Sequence, residues 1–138
     1  PTGGTSDYIP EMFHAAVRKE TYNCFVRKDA QIPFMTMPDA IKAILDIMDA
    51  PIKNLHQTVY NIRAFAPTAE EFRQKIIEVF PQAKIEYDIN EKRQNMVDSW
   101  PADINDSAAR SDWNWDPIHD LEIGMKEYLI PEAKKIYA

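Results

Sequence analysis

The chain contains very little glycine. Among its 138 residues only three glycines occur, at positions 3, 4 and 124. Dinucleotide-binding loops and P-loops need several closely spaced glycines, because the backbone N–H groups of such a loop must approach a phosphate directly. The sequence therefore excludes a glycine-rich phosphate-binding loop within these residues.

Cysteine and long apolar runs are also scarce. Cys24 is the single cysteine, so no disulfide forms within the chain, which fits a reducing compartment. Its position in a predicted strand favours a small buried side chain over a nucleophile. No apolar stretch reaches the roughly 18 residues that a transmembrane helix needs, and no signal-peptide pattern opens the chain. We therefore expect a cytoplasmic protein with no membrane segment.

Positive charge is in the minority, since the formal net charge is −6 and no basic run occurs. This balance argues against nucleic acid or an anionic membrane as a partner. His14, His56 and His119 lie far apart, and none has a second His or Cys at ligand spacing, so no metal site is expected. By length, residues 1–138 form a single domain. The opening at Pro1, followed at once by paired glycines, suggests a portion cut from a longer protein.

The pattern of the remaining residues predicts helices alternating with short strands. A capping box at Thr68–Glu71 and apolar residues at helical spacing are the clearest signals. An apolar stripe made of Ile41, Ile44, Leu45 and Met48 marks another helix. Helices are predicted over 5–19, 38–48, 68–79, 91–99, 106–112 and 120–137, the last kinked at Pro131. Strands are predicted over 23–26, 34–37, 58–64 and 85–88, so the fold class is α/β with a thin sheet.

All three tryptophans lie in one polar segment, at positions 100, 113 and 115. Each Trp can bury a large area but carries an N–H that needs a partner. The segment therefore either shapes a pocket or anchors a loop to the core. Anchoring is favoured for Trp113 and Trp115, whereas both interpretations stay open for Trp100, because Pro101 forces an extended turn there.

The opening residues 3–8 are the other candidate for a binding site. Gly3 and Gly4 allow a ligand to approach the backbone closely. The helix start that follows offers N–H donors to a carboxylate or phosphate, and Thr5 and Ser6 add hydroxyls. Simple capping of the helix by these residues and Asp7 is an equally good interpretation.

Several segments resemble a known family and occur in its order. They are residues 3–8 (GGTSDY), 34–43 (FMTMPDAIKA), 60–62 (YNI), 98–101 (DSWP) and 106–115 (DSAARSDWNW). Together they resemble the C-terminal half of the L-threonine 3-dehydrogenases of the short-chain-dehydrogenase type. That family belongs to the extended branch, which also contains the sugar-nucleotide epimerases and dehydratases. The resemblance implies a small C-terminal substrate domain that lacks the Rossmann half.

The resemblance also implies a division of labour. In the family, the NAD-binding loop and the catalytic Tyr-x-x-x-Lys pair lie upstream of the paired glycines. This chain lacks both, since Tyr60 is followed by Ala64 at the lysine position. We therefore expect NAD to be bound mainly by the absent N-terminal half, no cofactor on this chain alone, no catalytic residue here, and an isolated chain that is inactive.

By transfer from the family, Thr5, Ser6 and Asp7 line the site for L-threonine or a similar small amino acid. Trp100 closes this pocket against water, and Gly3 and Gly4 pass close to the nicotinamide. Two alternatives stay open: a substrate domain for nucleotide sugars, and a non-catalytic binding or assembly module. Strand edges left unpaired by the missing sheet favour self-association into a homo-oligomer, although no native dimer follows from these residues.

Overall fold

Helices alternate with two short strands in the computed structural model, which describes residues 3–137. A 3₁₀ turn at Thr5–Asp7 leads into α1 (Tyr8–Arg18), and β1 (Thr21–Cys24) follows. The next elements are α2 (Met37–Asp49), a 3₁₀ turn at Ile52–Asn54, α3 (Ala69–Val79), β2 (Lys84–Tyr87), α4 (Glu91–Asp98) and α5 (Ser107–Trp113). The last part of the chain is one continuous helical stretch made of α6 (Leu121–Ile123), a π-helical segment (Gly124–Leu129) and α7 (Ile130–Tyr137). We call this stretch the closing helix.

The sheet of the described residues is a parallel pair, in which Thr21 of β1 lies opposite Lys84 of β2. The predicted α/β class is confirmed. The predicted strands 23–26 and 85–88 are these two strands, but the first begins two residues earlier than predicted. Cys24, the last residue of β1, is fully buried and unpaired, as predicted.

Two predicted strands are wrong. In 34–37 only Phe34 forms a bridge, with Phe65, and Met37 already begins α2. The reason is that Thr36 caps α2 by accepting a hydrogen bond from the Asp39 N–H, and Pro38 suits the first turn of a helix. No strand forms over 58–64. That segment is held by side chains instead: the Trp115 indole N–H donates to the Arg63 carbonyl oxygen at 3.2 Å.

The predicted helices are all present. Their ends agree with the prediction to within one residue, except that residues 5–7 of the first form a 3₁₀ turn before α1. The capping box at the start of α3 is complete, since Glu71 and Thr68 exchange hydrogen bonds between side chain and backbone. The last helix differs in detail. It contains a π-helical segment, which ends two residues before Pro131, and the kink at the proline itself stays a prediction.

Two hydrophobic clusters form the interior of the part that the structure describes. The larger one lies between α1, α3, the sheet and the closing helix, and includes Met12, Phe72 and Ile76. The smaller one joins α2 to α5 and consists of buried Ala43, Ala109, Trp113 and Trp115. The prediction that Trp113 and Trp115 anchor their segment to the core is confirmed by this burial.

Helix α2 carries its apolar stripe on the outside. Its buried positions are Asp39 and Ala43. The predicted stripe is exposed to solvent, together with the apolar residues one turn before and after it. We call this surface the outer face of α2; it consists of Met37, Ile41, Ile44, Leu45, Met48 and Ile52. Within residues 3–137 no helix has both the length and the apolar character needed to cross a membrane.

Candidate functional site

The opening turn, which consists of residues 3–7, has a fixed geometry. Gly3 adopts a left-handed backbone conformation with φ of 76°, which favours glycine. The Gly4 N–H donates to Asp7 Oδ2 at 3.0 Å, and the Asp7 N–H donates to the Gly4 carbonyl oxygen at 3.1 Å. Asp7 therefore caps the turn, as the capping interpretation predicted. Thr5 is half-buried in this turn, and Ser6 is exposed.

Arg93 of α4 fastens the opening turn to the body of the molecule. Its Nη2 donates to the carbonyl oxygens of Gly3, at 3.2 Å, and Gly4, at 2.6 Å. The guanidinium carbon lies 3.2 Å from the centroid of the Phe25 ring, so the planar group stacks on an aromatic face. No local pattern predicts this role, because 90 residues separate Arg93 from Gly3.

Trp100 follows the other end of α4. Its backbone N–H donates to the Val97 carbonyl oxygen at 3.0 Å, and 39% of the residue is exposed. Helix α4 thus connects both predicted parts of the substrate site: Arg93 in its first turn holds the opening turn, and its C-terminal end positions Trp100. That Thr5, Ser6, Asp7 and Trp100 line one pocket stays a prediction, as does the placement of Gly3 and Gly4 near a cofactor.

A buried polar cluster at the start of α2 was not predicted from the sequence. Asp39 is fully buried. Its carboxylate accepts hydrogen bonds from the Thr36 hydroxyl at 2.9 Å and from the N–H groups of Ile118 and His119, at 2.6 and 3.2 Å. The His119 Nδ1 lies 2.8 Å from Thr36 Oγ1 and 3.2 Å from Asp39 Oδ2.

This cluster is built to hold two segments together. A carboxylate is an acceptor only, so the ring nitrogen facing it carries the hydrogen. All four contacts of Asp39 then satisfy a buried charge, as burial requires. The consequence is that the segment before α6 is fixed to the start of α2. Gly124 packs against Thr36 of this cluster, since a Cβ on Gly124 would be 3.2 Å from Thr36 Cγ2.

An apolar cavity of about 260 Å³ adjoins the cluster. Thr36 lies at its edge, and Ile9, Phe13, Phe34, Phe65 and Leu129 supply much of its wall. The residues predicted to bind substrate do not line it. Its wall is therefore part of the packing between α1 and the closing helix.

Residues 3–137 assemble no metal site, and their paired glycines form no dinucleotide-phosphate loop. Within residues 3–137 no group of three or more His, Cys, Asp or Glu side chains is placed to hold a metal ion. The paired glycines do not fit a dinucleotide phosphate either. They lead into a 3₁₀ turn of three residues, and the Gly4 N–H is already used by Asp7. These residues alone do not fit NAD.

Comparison with known proteins identifies the relatives of this chain. No family model matches it. It is 37% identical to the mitochondrial L-threonine 3-dehydrogenase of Bos taurus over 123 residues, which are 89% of this chain and 32% of that protein. It is 38% identical to an uncharacterized epimerase/dehydratase of Staphylococcus saprophyticus over 130 residues, 94% of this chain and 41% of that protein. The chain thus spans about a third to two-fifths of these relatives.

Solved structures that resemble this chain include the same two kinds of protein, a threonine dehydrogenase and an epimerase. A monomeric L-threonine 3-dehydrogenase from a metagenome superposes on all of this chain and on 44% of its own length, with a TM-score of 0.91 and 37% identity. The UDP-glucose 4-epimerase of Thermotoga maritima shares the fold, with a TM-score of 0.72 and 16% identity over 93% of this chain and 40% of its own. L-threonine 3-dehydrogenases and related epimerase/dehydratases are therefore homologues of this chain, which corresponds to their C-terminal part.

Proposed function

We propose that this chain is the substrate-recognition part of an NAD-dependent L-threonine 3-dehydrogenase, an enzyme that oxidises L-threonine to 2-amino-3-ketobutyrate. The observation that carries the proposal is the likeness to a threonine dehydrogenase over the entire chain, at 37% identity and a TM-score of 0.91. The rest of the enzyme binds NAD, which accepts the hydride. It also supplies the group that removes the proton from the substrate hydroxyl.

The residues of this chain bind and orient the amino acid. Thr5 and Ser6 offer hydroxyls to the substrate carboxylate, and Asp7 attracts the ammonium group. Asp7 also caps the opening turn, but a carboxylate has room for several hydrogen bonds, so both roles are compatible. Trp100 covers the pocket and excludes water from the hydride transfer. Gly3 and Gly4 let the backbone pass close to the nicotinamide.

Activity measurements on two proteins test the proposal. The first is this chain alone, and the second is the longer polypeptide that contains it together with its nucleotide-binding half. We expect threonine-dependent NADH formation by the longer protein and none by the chain alone. Threonine oxidation by the isolated chain would contradict the assignment of the chemical step to the other half. A longer protein that does not oxidise threonine would contradict the assignment of threonine as the substrate.

Point variants of the longer protein test the assigned residues. Thr5→Ala should raise the KM for threonine roughly tenfold, because it removes a hydrogen bond to a charged group. Trp100→Ala should also raise the KM, because the pocket loses its cover. Trp100→Phe should retain much of the activity, because it keeps an aromatic cover. Thr58→Ala is the matched control for Thr5→Ala, since Thr58 is exposed in a loop far along the chain. Equal kinetics for Thr5→Ala and Thr58→Ala would remove Thr5 from the site.

Nucleotide sugars are the competing substrate class, which only the shared fold of the epimerase supports. A diphosphate calls for clustered arginines. In the described residues Arg93 is committed to backbone oxygens and Arg110 to Asp106. We therefore expect threonine, rather than UDP-glucose, to raise the melting temperature of the longer protein. The opposite ranking would favour a sugar-nucleotide enzyme, and no response to either would favour an assembly module.

A further inference from the structure

An ion pair outside the proposed substrate residues fixes the C-terminal end of α4. Arg27, which follows β1, donates from Nη1 and Nη2 to the two oxygens of the Asp98 carboxylate, both at 2.9 Å. Asp98 is the last residue of α4, and Trp100 lies two positions beyond it. Because 71 residues separate Arg27 from Asp98, the pair joins two distant parts of the chain.

A buried amide connects both partners of this ion pair. Gln94 of α4 is 1% exposed, and its Oε1 accepts a hydrogen bond from the Arg27 N–H at 2.6 Å. Its Nε2 donates to Asp98 Oδ1 at 2.7 Å. A single ion pair at a protein surface contributes little, but bidentate geometry within a network that includes a buried group holds one arrangement. We call Arg27, Gln94 and Asp98 the α4 clamp.

The segment that carries Arg27 also supports the opening turn. Phe25, two residues earlier, lies under the Arg93 guanidinium, which binds the carbonyl oxygens of Gly3 and Gly4. Phe25 is itself buried, so it offers a fixed surface. The opening turn and the C-terminal end of α4 are therefore both attached to the same short segment after β1. One part of the fold thus sets the separation between them.

We propose that Arg27 is a positioning residue that, through the α4 clamp, sets the place of the Trp100 ring relative to the opening turn. This inference rests on the proposed function, in which Trp100 covers the amino acid. Arg27 acts without touching substrate, because its pair with Asp98 restrains the last turn of α4. The backbone of that turn holds Trp100, whose N–H donates to the Val97 carbonyl oxygen at 3.0 Å. Without the pair, the end of α4 frays and the cover loses its defined place.

Fluorine NMR of this chain labelled with 5-fluorotryptophan tests the proposal without depending on activity. The chain has three tryptophans, and the signal that is absent from Trp100→Phe belongs to Trp100. In Arg27→Ala we expect the Trp100 signal to narrow and to shift toward that of free 5-fluorotryptophan, since a released side chain reorients rapidly in solvent. The buried Trp113 and Trp115 are internal controls, and their signals should stay unchanged.

Two further variants make this measurement specific. Asp98→Ala removes the same ion pair from its other side and should change the Trp100 signal in the same way. Both partners are partly exposed, so neither variant opens the core. Arg18→Ala is the matched control, because it removes an arginine pair of similar exposure, with Glu20, at the end of α1. An unchanged Trp100 signal in Arg27→Ala and Asp98→Ala would overturn the proposal, and so would an equal shift in Arg18→Ala.

Kinetics of the longer polypeptide measures the consequence for the substrate. Arg27→Ala should raise the KM for threonine by at least about twofold, as residues coupled in one network do, but by less than Trp100→Ala. In the Trp100→Ala background, Arg27→Ala should cause no further change, because Arg27 acts only through Trp100. Additive effects of the two substitutions would mean that Arg27 does not work through the cover, and the proposal would fail.

The two measurements separate this inference from the proposed function. If the Trp100 signal responds to Arg27→Ala and Asp98→Ala but the longer protein does not oxidise threonine, the α4 clamp stands and the proposed substrate fails. If the longer protein oxidises threonine with the same KM in Arg27→Ala and Arg18→Ala, the proposed function stands and the positioning role of Arg27 fails.

Discussion

A single arginine determines how the opening turn is held. Arg93 combines two hydrogen bonds to carbonyl oxygens with stacking on Phe25, and both contacts depend on its planar, multidentate head. Because no substrate group needs to touch it, Arg93 is a positioning residue. Its effect on the proposed site passes through Gly3 and Gly4 to Thr5.

Replacement of Arg93 should therefore weaken substrate binding more than the chemical step. For Arg93→Ala in the longer protein we expect the KM for threonine to rise roughly tenfold with a smaller change in kcat, since hydrogen bonds from charged groups contribute about 1.5–3 kcal/mol. Arg93→Lys should not restore the KM, because an ammonium cannot stack and bridge in the same way.

The control is Arg18→Ala, which removes an exposed pair with Glu20 and should leave kinetics unchanged. Steady-state kinetics on the three variants measures these effects. A purely structural role of Arg93 would instead lower the amount of active enzyme and leave its KM intact.

At the scale of elements, a carboxylate on α5 holds the loop that follows α2. Asp112 accepts hydrogen bonds from the Tyr60 hydroxyl at 2.6 Å and from the His56 N–H at 3.1 Å. The Tyr60 ring packs edge-on against Trp113, with 6.0 Å between centroids. Chiefly the Tyr60 hydroxyl, and then the His56 N–H, lower the pKa of Asp112 below its usual value.

The lowered pKa makes this contact dependent on pH. A carboxyl group whose folded-state pKa is depressed stabilises the fold above its unfolded value, about 3.9 for Asp, and loses that contribution as the pH falls through the folded value. Tyr60→Phe should therefore be less stable than the natural protein at neutral pH, and the difference should shrink below about pH 4.

Urea unfolding of this chain at neutral and acidic pH measures the difference. Tyr87→Phe is a second test of the same effect. Its hydroxyl donates to Glu70, a carboxylate whose pKa is also lowered, so that variant should show the same direction at a separate place. A Tyr60→Phe deficit that persists unchanged at acidic pH would mean that packing against Trp113, rather than the charge of Asp112, is responsible.

Local signals in the sequence predicted helices better than strands. Caps and apolar spacing are encoded within a few residues, as the complete capping box of α3 shows. The segment 58–64 alternates like a strand, yet its backbone is held by the Trp115 side chain rather than by a strand neighbour. The stripe on α2 was also recognised, but periodicity states which residues share a face and not whether that face is covered.

On the scale of the whole molecule, the polar cluster connects two separately packed regions. Asp39 lies on α2, beside the smaller cluster of Ala43, Trp113 and Trp115, and its partner His119 stacks on Tyr128 of the closing helix. The larger core contains Met125 and Ala133 of the same closing helix. No sequence pattern could show this link, because Asp39 and His119 are 80 residues apart. An aspartate at the start of a helix is, in addition, typical of a simple helix cap.

Breaking that link should separate the unfolding of the two regions. Asp39→Asn leaves a single acceptor oxygen, so its N–H₂ must face the Ile118 N–H or the donors of Thr36 and His119, and we expect a loss of about 2–4 kcal/mol in the free energy of unfolding. Asp46→Asn removes a partly exposed pair with Lys42 and should cost less than about 1 kcal/mol.

Tryptophan fluorescence can report the separation, because two of the three tryptophans lie in the smaller cluster. In the natural chain, fluorescence and far-UV circular dichroism should follow one urea transition, as a cooperative domain does. In Asp39→Asn the fluorescence transition should come at lower urea than the circular dichroism, since the larger core keeps α1, α3 and the sheet after the tryptophan cluster has opened. Coincident transitions in Asp39→Asn would mean that apolar packing, and not the buried carboxylate, couples the two regions.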